Sequence, residues 1–470
     1  MRFLVIVACC LLCDFSVKAQ QRNKFEFRRN LPVYADSLLK DLTYPLAWGN
    51  SPITDFDEWR KTARQKVFDC MLTPPPAPPL SVEVKVDSVE FATARCKSPN
   101  AEFRVDSLEF ATARCKSPNA EFRVDSLEFR VDSVEFRVDS LEFATAQCKP
   151  SDAAVANSPL STFHSKLSTF HYQLISEEQR EGYKARKIEI RLSRYYTVPA
   201  YLLIPDGKGP FPAVNALHDH GAHLFIGKEK MIRPLACEDS TVIRDADEWA
   251  STLYDGQFVG DYLARHGYVV FSADAPMWGE RGQQEGPRRD RYDMIAGNMM
   301  MYGIDLSAYM TYDDISGTEF LASLPEVDAQ RIGCMGCSMG AYRAWMLSAL
   351  SDRIKVGAAI CWMVTTDEQM SLKYKRTENG GFANCFPGLR RWLDYPHVAS
   401  IACPKPMLFI NGSQDKLFPV PGVQKAFAIM HDTWRSQGAE QNLETELWDI
   451  PHSCPLKAQE RVLQFFQKHL

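Results

Sequence analysis

The chain has 470 residues, of which 45% are hydrophobic and 24% are charged. This is an ordinary globular composition, and the length exceeds what one core requires, so we expect one large domain with appended segments. The formal net charge is only −5. A balance so close to neutral gives no electrostatic reason to bind nucleic acid or an anionic membrane, so both are excluded as partners.

The first residues have the anatomy of a secretory signal peptide. Arg2 gives the basic start, "FLVIVACCLLC" the short apolar run, and Ala19 a small residue at a cleavable position. The apolar run is too short to span a bilayer. We therefore expect cleavage after Ala19, no membrane span, and a periplasmic or secreted mature chain. The alternative is a lipoprotein acylated at Cys9, which would leave too few residues for the core of a signal.

Two segments separate the signal from the main domain. Residues 20–80 carry apolar positions at helical spacing in "YADSLLKDLTYPL" and "FDEWRKTARQKVFDCML" and then stop at "TPPPAPP", which predicts an N-terminal helical extension of one or two helices. Residues 81–171 repeat "VDSLEFATARCKSPNAEFR" almost verbatim in copies of changing length. Such copies indicate recent tandem duplication, because the repeats of a solenoid keep their length and diverge at the surface. Neither strand nor helix period dominates there, so we expect a disordered insertion.

Residues 172–470 have the pattern of an α/β domain. "KARKIEIRLS" and "TVPAYLLIP" alternate and predict antiparallel strands joined by a turn. The short apolar runs "FPAVNALH", "YVVFSADAP", "RIGCMGCS", "VGAAICW" and "KPMLFINGS" then alternate with helical stretches, as the strands of a covered parallel sheet do. We predict an α/β fold with a mostly parallel central sheet and helices on both faces.

A G-x-S-x-G motif stands at residues 336–340, between a predicted strand and a predicted helix. In that setting the glycines permit a tight turn that holds the serine hydroxyl at the carboxyl edge of the sheet, against a helix N-terminus. The motif therefore predicts Ser338 as a nucleophile. The alternative is a serine that only caps the helix after a glycine-rich turn. The zinc-like spacing of Cys334 and Cys337 falls within the same run and is better explained by this turn.

A serine nucleophile needs a base, and the base needs an acid that orients it. Asp415 follows the apolar strand "KPMLFING", and His452 follows the predicted strand "ETELW". Serine, aspartate and histidine in this order, each after a strand, are typical of α/β-hydrolases, so we predict Asp415 as acid and His452 as base. Asp449 within the strand end and Asp394 in a Trp-rich loop are weaker candidates for the acid. His431 lies in a helical pattern and is expected on a helix surface.

The loop "LHDHGAH" at residues 217–223 allows two interpretations. The spacing of His218, His220 and His223 would suit a metal-dependent hydrolase that binds zinc. The loop also follows a strand upstream of the serine motif, where an α/β-hydrolase places one amide of its oxyanion hole; the amides of His220 and Met339 would then bind the oxyanion. We favour the second interpretation, because zinc would need further His and Asp ligands downstream. No metal or other cofactor is expected.

Taken in order, "LHDHGAHLFIGKEK", "YVVFSADAPMWGERG", "GCSMGAYRAW", "NGSQDKLFP" and "DIPHSCP" resemble the secreted bacterial α/β-hydrolases grouped with dienelactone hydrolases and acetyl xylan esterases. The resemblance covers residues 25–75 and 172–470. It implies an α/β-hydrolase fold and hydrolysis of carboxylic esters, with acyl groups on plant polysaccharides as the expected substrates. It also implies that Ser338 is the nucleophile, Asp415 the acid and His452 the base. The amides of His220 and Met339 would form the oxyanion hole.

Two positions depart from this group. A dienelactone hydrolase proper has cysteine where this chain has Ser338, and the related acetyl xylan esterases have glycine where it has Asp219. In the loop "DAPMWGERGQQEG", Trp278 and Arg281 could contact a sugar ring or a carboxylate, or could instead pack on the core. Arg343 is expected to pair with an acidic neighbour.

The sequence therefore predicts a serine-dependent ester hydrolase that acts on a small-molecule or polysaccharide ester without a cofactor. Two other classes remain as alternatives. One is the metal-dependent hydrolase, and the other is a hydrolase-fold protein that binds its ligand without reacting, against which the complete Ser, Asp and His set argues.

Overall fold

The computed structural model describes residues 41–72, 170–193, 195–282, 289–370 and 381–470, together with the backbone of six short strands elsewhere. The predicted signal peptide and the lipoprotein alternative lie outside the described residues, as does most of the predicted insertion. The chain divides into two compact units. One comprises Met1–Pro79 and Thr169–Leu470, and the other is Leu80–Ser168.

The six short strands form antiparallel pairs. In the larger unit β1 (Phe27–Arg28) pairs with β2 (Leu31–Pro32). In the smaller unit the strands fall on the shortened copies of the repeat, with Asp-Ser steps between them: β3 (Phe122–Val124), β4 (Leu127–Val131), β5 (Val134–Val138) and β6 (Leu141–Phe143). Here β3 pairs with β6 and β4 with β5. Of the two periods that the repeat left open, these copies follow the strand.

Nine strands of the larger unit's described residues form one sheet in the order β15-β14-β13-β12-β10-β11-β9-β8-β7. They are β7 (Tyr172–Arg180), β8 (Tyr183–Ser193), β9 (Tyr196–Pro205), β10 (Phe211–Leu217), β11 (Val269–Ala273), β12 (Val327–Cys337), β13 (Ile354–Ile360), β14 (Met407–Gly412) and β15 (Leu443–Trp448). The strands β7, β8 and β9 pair antiparallel, and β9 also pairs antiparallel with β11. The remaining pairs, from β10 to β15, are parallel. The predicted antiparallel start and parallel sheet are therefore confirmed.

The helices of the described residues are α1 (Phe56–Asp69), α2 (Ser240–Leu253), α3 (Val259–Arg265), α4 (Arg289–Met300), α5 (Leu306–Ser323), α6 (Met339–Leu350), α7 (Thr366–Gln369), α8 (Tyr395–Ser400), α9 (Val420–Ser436) and α10 (Leu456–His469). Short 3₁₀ turns lie at Lys228–Lys230, Gly279–Arg281, Gly381–Asn384, Leu389–Arg391 and Glu440–Asn442. Among these helices, none is both long and apolar enough to cross a bilayer.

The sheet separates two hydrophobic cores because successive side chains of a strand point to opposite faces. In β14, Met407 and Phe409 join one core, whereas Leu408 and Ile410 join the other. Helices α1, α5, α6 and α9 bury residues in the first core, and α3 and α10 bury residues in the second. Helices therefore cover both faces of the sheet, as predicted for an α/β fold.

The predicted N-terminal extension contains helix α1. Asp55 caps it by accepting a 2.8 Å hydrogen bond from the amide of Glu58. Trp59, Ala63 and Val67, at successive turns of the helix, are fully buried in the first core. Residues 41–46, the end of the first predicted helical segment, are not helical, and the start of that segment lies outside the described residues. The extension is thus an integral layer of the larger unit.

Candidate active site

Ser338 stands on the turn between the end of β12 and the start of α6. Its φ is 56° and its ψ is −124°, a conformation that residues with a side chain rarely adopt. A β-carbon on Gly340 would lie 1.9 Å from the carbonyl oxygen of Leu217, and one on Gly336 would lie 2.3 Å from the backbone of Gly340. Both glycines are required by this close approach. The motif therefore forms the strand, strained turn and helix of a nucleophile elbow.

Asp415 and His452 form a hydrogen-bonded pair. Asp415 follows β14 and His452 follows β15, and the carboxylate Oδ2 lies 2.6 Å from the imidazole Nδ1. The other oxygen of Asp415 accepts a 2.8 Å hydrogen bond from the amide of Leu417. Asp415 has a fully buried side chain, whereas that of His452 is 23% exposed. The carboxylate thus orients the ring through Nδ1, and Nε2 is the nitrogen that can exchange a proton.

The pKa of His452 lies above its ordinary value. Burial by itself lowers this pKa, but the hydrogen bond and the negative charge of Asp415 raise it further than burial lowers it. An imidazole stabilised in its charged form in this way is a stronger base at the moment when it takes up a proton.

The other candidate acids have different partners. Asp449 is exposed and accepts hydrogen bonds from Ser413 and Gln414 at 3.0 and 2.9 Å. Asp394 is buried and caps helix α8. Of the three carboxylates considered, Asp415 is the one that contacts His452.

His431 lies on helix α9, where it contacts Thr445 at 2.9 Å. It is only partly buried, as expected for a residue on the surface of a helix.

The elbow and the Asp–His pair share one edge of the sheet, because β12 to β15 are parallel and their carboxyl ends lie side by side. The amide of Ser338 donates to the carbonyl of Ile360, the last residue of β13, at 2.9 Å. The next residue, Cys361, donates from its thiol to the carbonyl of Ser453, beside His452, at 3.2 Å. The end of β13 therefore connects the elbow to the Asp–His pair.

The loop at 218–223 follows β10 and lies against the elbow. His218 is fully buried. Its Nε2 accepts a 3.0 Å hydrogen bond from the amide of Ala275, and its Nδ1 lies 2.9 Å from the carbonyl of Asp219. Burial, with the nearby charges of Arg343 and Lys230, holds the pKa of His218 well below its usual value. His218 is thus a neutral ring that ties the loop to the segment after β11.

The three histidines of this loop point to separate partners. His220 accepts a 3.0 Å hydrogen bond at Nδ1 from the amide of Ala222. His223 lies 3.0 Å from Asp245 and stacks on Trp249 with the rings 5.5 Å apart. Within the part of the chain that the structure describes, these histidines do not converge as a group of metal ligands. The geometry therefore does not support the zinc interpretation of this loop.

Asp219 anchors the loop, a role that sequence reasoning left open. Its carboxylate is fully buried and accepts hydrogen bonds from Trp249 Nε1 at 3.1 Å and from the Tyr254 hydroxyl at 2.8 Å. Lys230 Nζ, also fully buried, lies 3.3 Å from the same carboxylate and 3.1 Å from the carbonyl of His220. Asp219 thus fixes the backbone on which the predicted oxyanion amide stands.

A second buried cation, Lys228, holds the segment "GKEK" to the neighbouring loop. Its Nζ contacts carboxylate oxygens of Asp274 at 3.0 Å, Glu229 at 2.6 Å and Glu280 at 2.7 Å. The negative charges keep the pKa of Lys228 well above its usual value in spite of burial. The co-occurrence of "HDHG" and "GKEK" could have indicated the pair of Asp219 with Lys230, whereas Asp274 lies in the later segment "DAPMWGE".

Trp278 and Arg281, which the sequence predicts as possible substrate contacts, both have hydrogen-bond partners within the protein. Trp278 is fully buried, and its indole nitrogen donates to the carbonyl of His220 at 3.2 Å. Arg281 is held by Asp313 at 2.7 Å and by the Tyr309 hydroxyl at 2.9 Å. These contacts agree with the alternative that the two side chains pack on the core.

Arg343 pairs with Asp314 at 2.6 and 2.9 Å, as expected. Both side chains of this pair are buried.

Comparison with known proteins agrees with this architecture. The model of the Abhydrolase family matches residues 133–442. YtaP of Bacillus subtilis (strain 168), provisionally named a hydrolase, is 31% identical over 264 residues, which are 56% of this chain and 80% of that protein.

Solved structures are also similar. A Bacteroides fragilis NCTC 9343 protein provisionally named an acetyl xylan esterase has 15% identity and a TM-score of 0.56 over 88% of this chain and 81% of its own. A glucuronoyl esterase from Solibacter usitatus has 13% identity and a TM-score of 0.49 over 64% of this chain and 86% of its own. The first of these two shares the fold of this chain.

Replacing Asp219 should destabilise the protein strongly. In Asp219→Ala the buried Lys230 loses its carboxylate, and such a loss costs about 3–5 kcal/mol in the free energy of unfolding. The matched control is Asp245→Ala, which breaks the partly exposed pair with His223 and should cost no more than about 1 kcal/mol. Urea unfolding of both variants measures the difference. Equal losses would show that Asp219 does not anchor the loop.

Proposed function

Because the chain belongs to the Abhydrolase family, we propose that it is a serine-dependent carboxylic ester hydrolase that acts through an acyl-enzyme on Ser338. The observation that carries this proposal is the 2.6 Å contact between Asp415 and His452 on the edge of the sheet that also holds the strained elbow. Nucleophile, base and orienting acid are the three parts that such a reaction needs.

The proposed reaction proceeds in two halves. His452 Nε2 takes the proton of Ser338 as the serine oxygen attacks the ester carbonyl, and the same proton then passes to the departing alcohol. Water next attacks the acyl-enzyme, His452 accepts one of its protons, and the acid leaves as the serine is restored. Asp415 holds the ring in the required tautomer and stabilises its charged form.

The oxyanion would be bound by two backbone amides. Met339 is the first residue of α6, so its N–H has no partner within the helix and points from the positive end of the helix dipole. The second amide would be that of His220, whose carbonyl is held by both Trp278 and Lys230. A donor fixed in place before the reaction needs little reorganisation as negative charge develops.

The proposed substrate is a carbohydrate ester of the acetyl xylan type, bound without a cofactor. The sequence resemblance supports this class, and so does the name of the similar Bacteroides fragilis structure. We further propose that residues 1–19 are a signal peptide that sends the chain to the periplasm or the exterior, that residues 20–80 and 81–171 are the extension and the insertion, and that residues 172–470 are the catalytic domain.

Ser338→Ala should abolish turnover. Loss of the nucleophile lowers kcat by roughly 10⁴-fold or more, measured as release of nitrophenol from nitrophenyl acetate. A fluorophosphonate probe should label the wild type and not the variant, whereas a binding protein without reactivity would leave both unlabelled. Activity that survives in Ser338→Ala and disappears with a chelator would instead support the metal-dependent hydrolase.

Asp415→Asn should change both rate and pH profile. His452 is a base only when neutral, so activity is present above its pKa and is lost as the pH falls through it. Because Asp415 raises that pKa above its ordinary value, Asp415→Asn should move the acidic limb of kcat/KM to lower pH and reduce kcat roughly 10³- to 10⁴-fold. The control Asp449→Asn removes an exposed carboxylate and should change neither. A limb that stays in place in Asp415→Asn would contradict the assignment.

The substrate class can be tested with the purified mature chain on acetylated xylan and on feruloyl and glucuronoyl esters. We expect the highest kcat/KM on acetylated xylan, measured as acid released per unit time. A preference for either of the other two esters would reject the acetyl assignment and leave the serine mechanism intact.

A further inference from the structure

Three thiols lie beneath the proposed site and are not used by the proposed reaction. Among the described residues, Cys337 ends β12, Cys361 follows β13 and Cys454 lies two residues after His452. All three are buried free thiols of one apolar core. Cys361 and Cys454 are the two neighbours that most raise the pKa of the Cys337 thiol. This edge of the sheet therefore has three free thiols, and a thiol can become a sulfur ligand for a metal ion.

Cys361 is the thiol that reaches the Asp–His pair. Its sulfur, a carboxylate oxygen of Asp415 and a ring nitrogen of His452 all lie within 4.8 Å of one another. A tetrahedral zinc ion with bonds of about 2.0–2.3 Å holds its ligand atoms roughly 3.3–3.8 Å apart. The 2.6 Å contact between Asp415 and His452 would open by about 1 Å to admit such an ion. The three atoms are thus close to a ligand arrangement already.

The donor set also fits the chemistry of one class of ion. A thiolate and an imidazole are the ligands that zinc and softer cations of the same group prefer, and the carboxylate completes a set with two negative charges. We propose that Cys361, Asp415 and His452 form an inhibitory binding site for a thiophilic divalent cation such as Zn²⁺ or Cd²⁺. Binding does not depend on the proposed function, whereas the inhibition does.

The proton balance explains why binding would inhibit. Nδ1 is the nitrogen of His452 that contacts Asp415, so an ion between the two residues binds there. The ring proton then resides on Nε2, and the thiol of Cys361 releases its proton to solvent. A ring that already carries a proton on Nε2 cannot accept one from Ser338. The ion therefore fixes the unproductive tautomer and removes the hydrogen bond that oriented the ring.

The first test measures binding without turnover. Ser338→Ala protein, stripped with a chelator, is titrated with Cd²⁺ alone, and sulfur ligation is followed by thiolate-to-metal charge-transfer absorption. Adding Cys361→Ala should remove one bound ion per chain, whereas adding Cys403→Ala, which removes a buried thiol of the other core, should not. Equal binding in the two double variants would overturn the proposal. Because no esterase activity is needed, this result is independent of the proposed function.

The second test measures inhibition with Zn²⁺ alone. Each variant is compared with its own rate before zinc, and a chelator should restore that rate. Loss of a direct ligand should raise the half-inhibitory concentration roughly tenfold or more in Cys361→Ala relative to Cys403→Ala. Equal sensitivity of the two variants would reject the site.

A third measurement covers the case in which Cys361→Ala does not fold, which circular dichroism would reveal. X-ray absorption of zinc bound to Ser338→Ala protein should show sulfur together with nitrogen or oxygen ligands. A shell of nitrogen and oxygen alone would overturn the proposal.

Discussion

One backbone contact determines the geometry of the whole edge. A side-chain carbon at Gly340 would stand 1.9 Å from the carbonyl oxygen of Leu217, so helix α6 and strand β10 meet with no side chain between them. Leu217 leads into the loop at 218–223, and Gly340 is the second residue of helix α6, which begins directly after Ser338. The contact therefore sets the distance between Ser338 and the loop beside it. A side chain at Gly340 would separate the two and misplace both together.

Buried ion pairs, rather than apolar contacts, hold the loops at 218–223 and 274–280. Asp219 with Lys230, and Lys228 with Asp274, have no exposed side-chain surface. Pairs of this kind add little net stability, but they are costly to break once they are buried. We interpret them as fixing one arrangement of loops whose backbone groups must also be satisfied, since a charged side chain can bond several carbonyls or amides at once. Lys230 does this by contacting two successive carbonyls of the loop, those of Asp219 and His220.

Sequence patterns predicted the sheet and the order of Ser338, Asp415 and His452, because each follows a predicted strand and the carboxyl ends of parallel strands lie at one edge. The surroundings of these residues could not be predicted in the same way. Trp278 is predicted as a possible contact for a sugar ring, yet it is buried, and its indole nitrogen donates to the carbonyl of His220, 58 residues earlier. The histidines of "LHDHGAH" have the spacing of metal ligands, but spacing does not reveal that neighbouring rings turn toward different partners. Local periodicity predicts helices and strands, whereas the partners of these side chains are residues distant in sequence.

Helix α1 lies before the repeat and strand β7 after it, yet both belong to the larger compact unit. The chain therefore leaves the larger unit after Pro79 and returns to it at Thr169. The gain or loss of a copy changes the length of the excursion but leaves both attachment points in place. Duplication within the gene can therefore change the number of copies without changing the sequence of helix α1 or of the sheet.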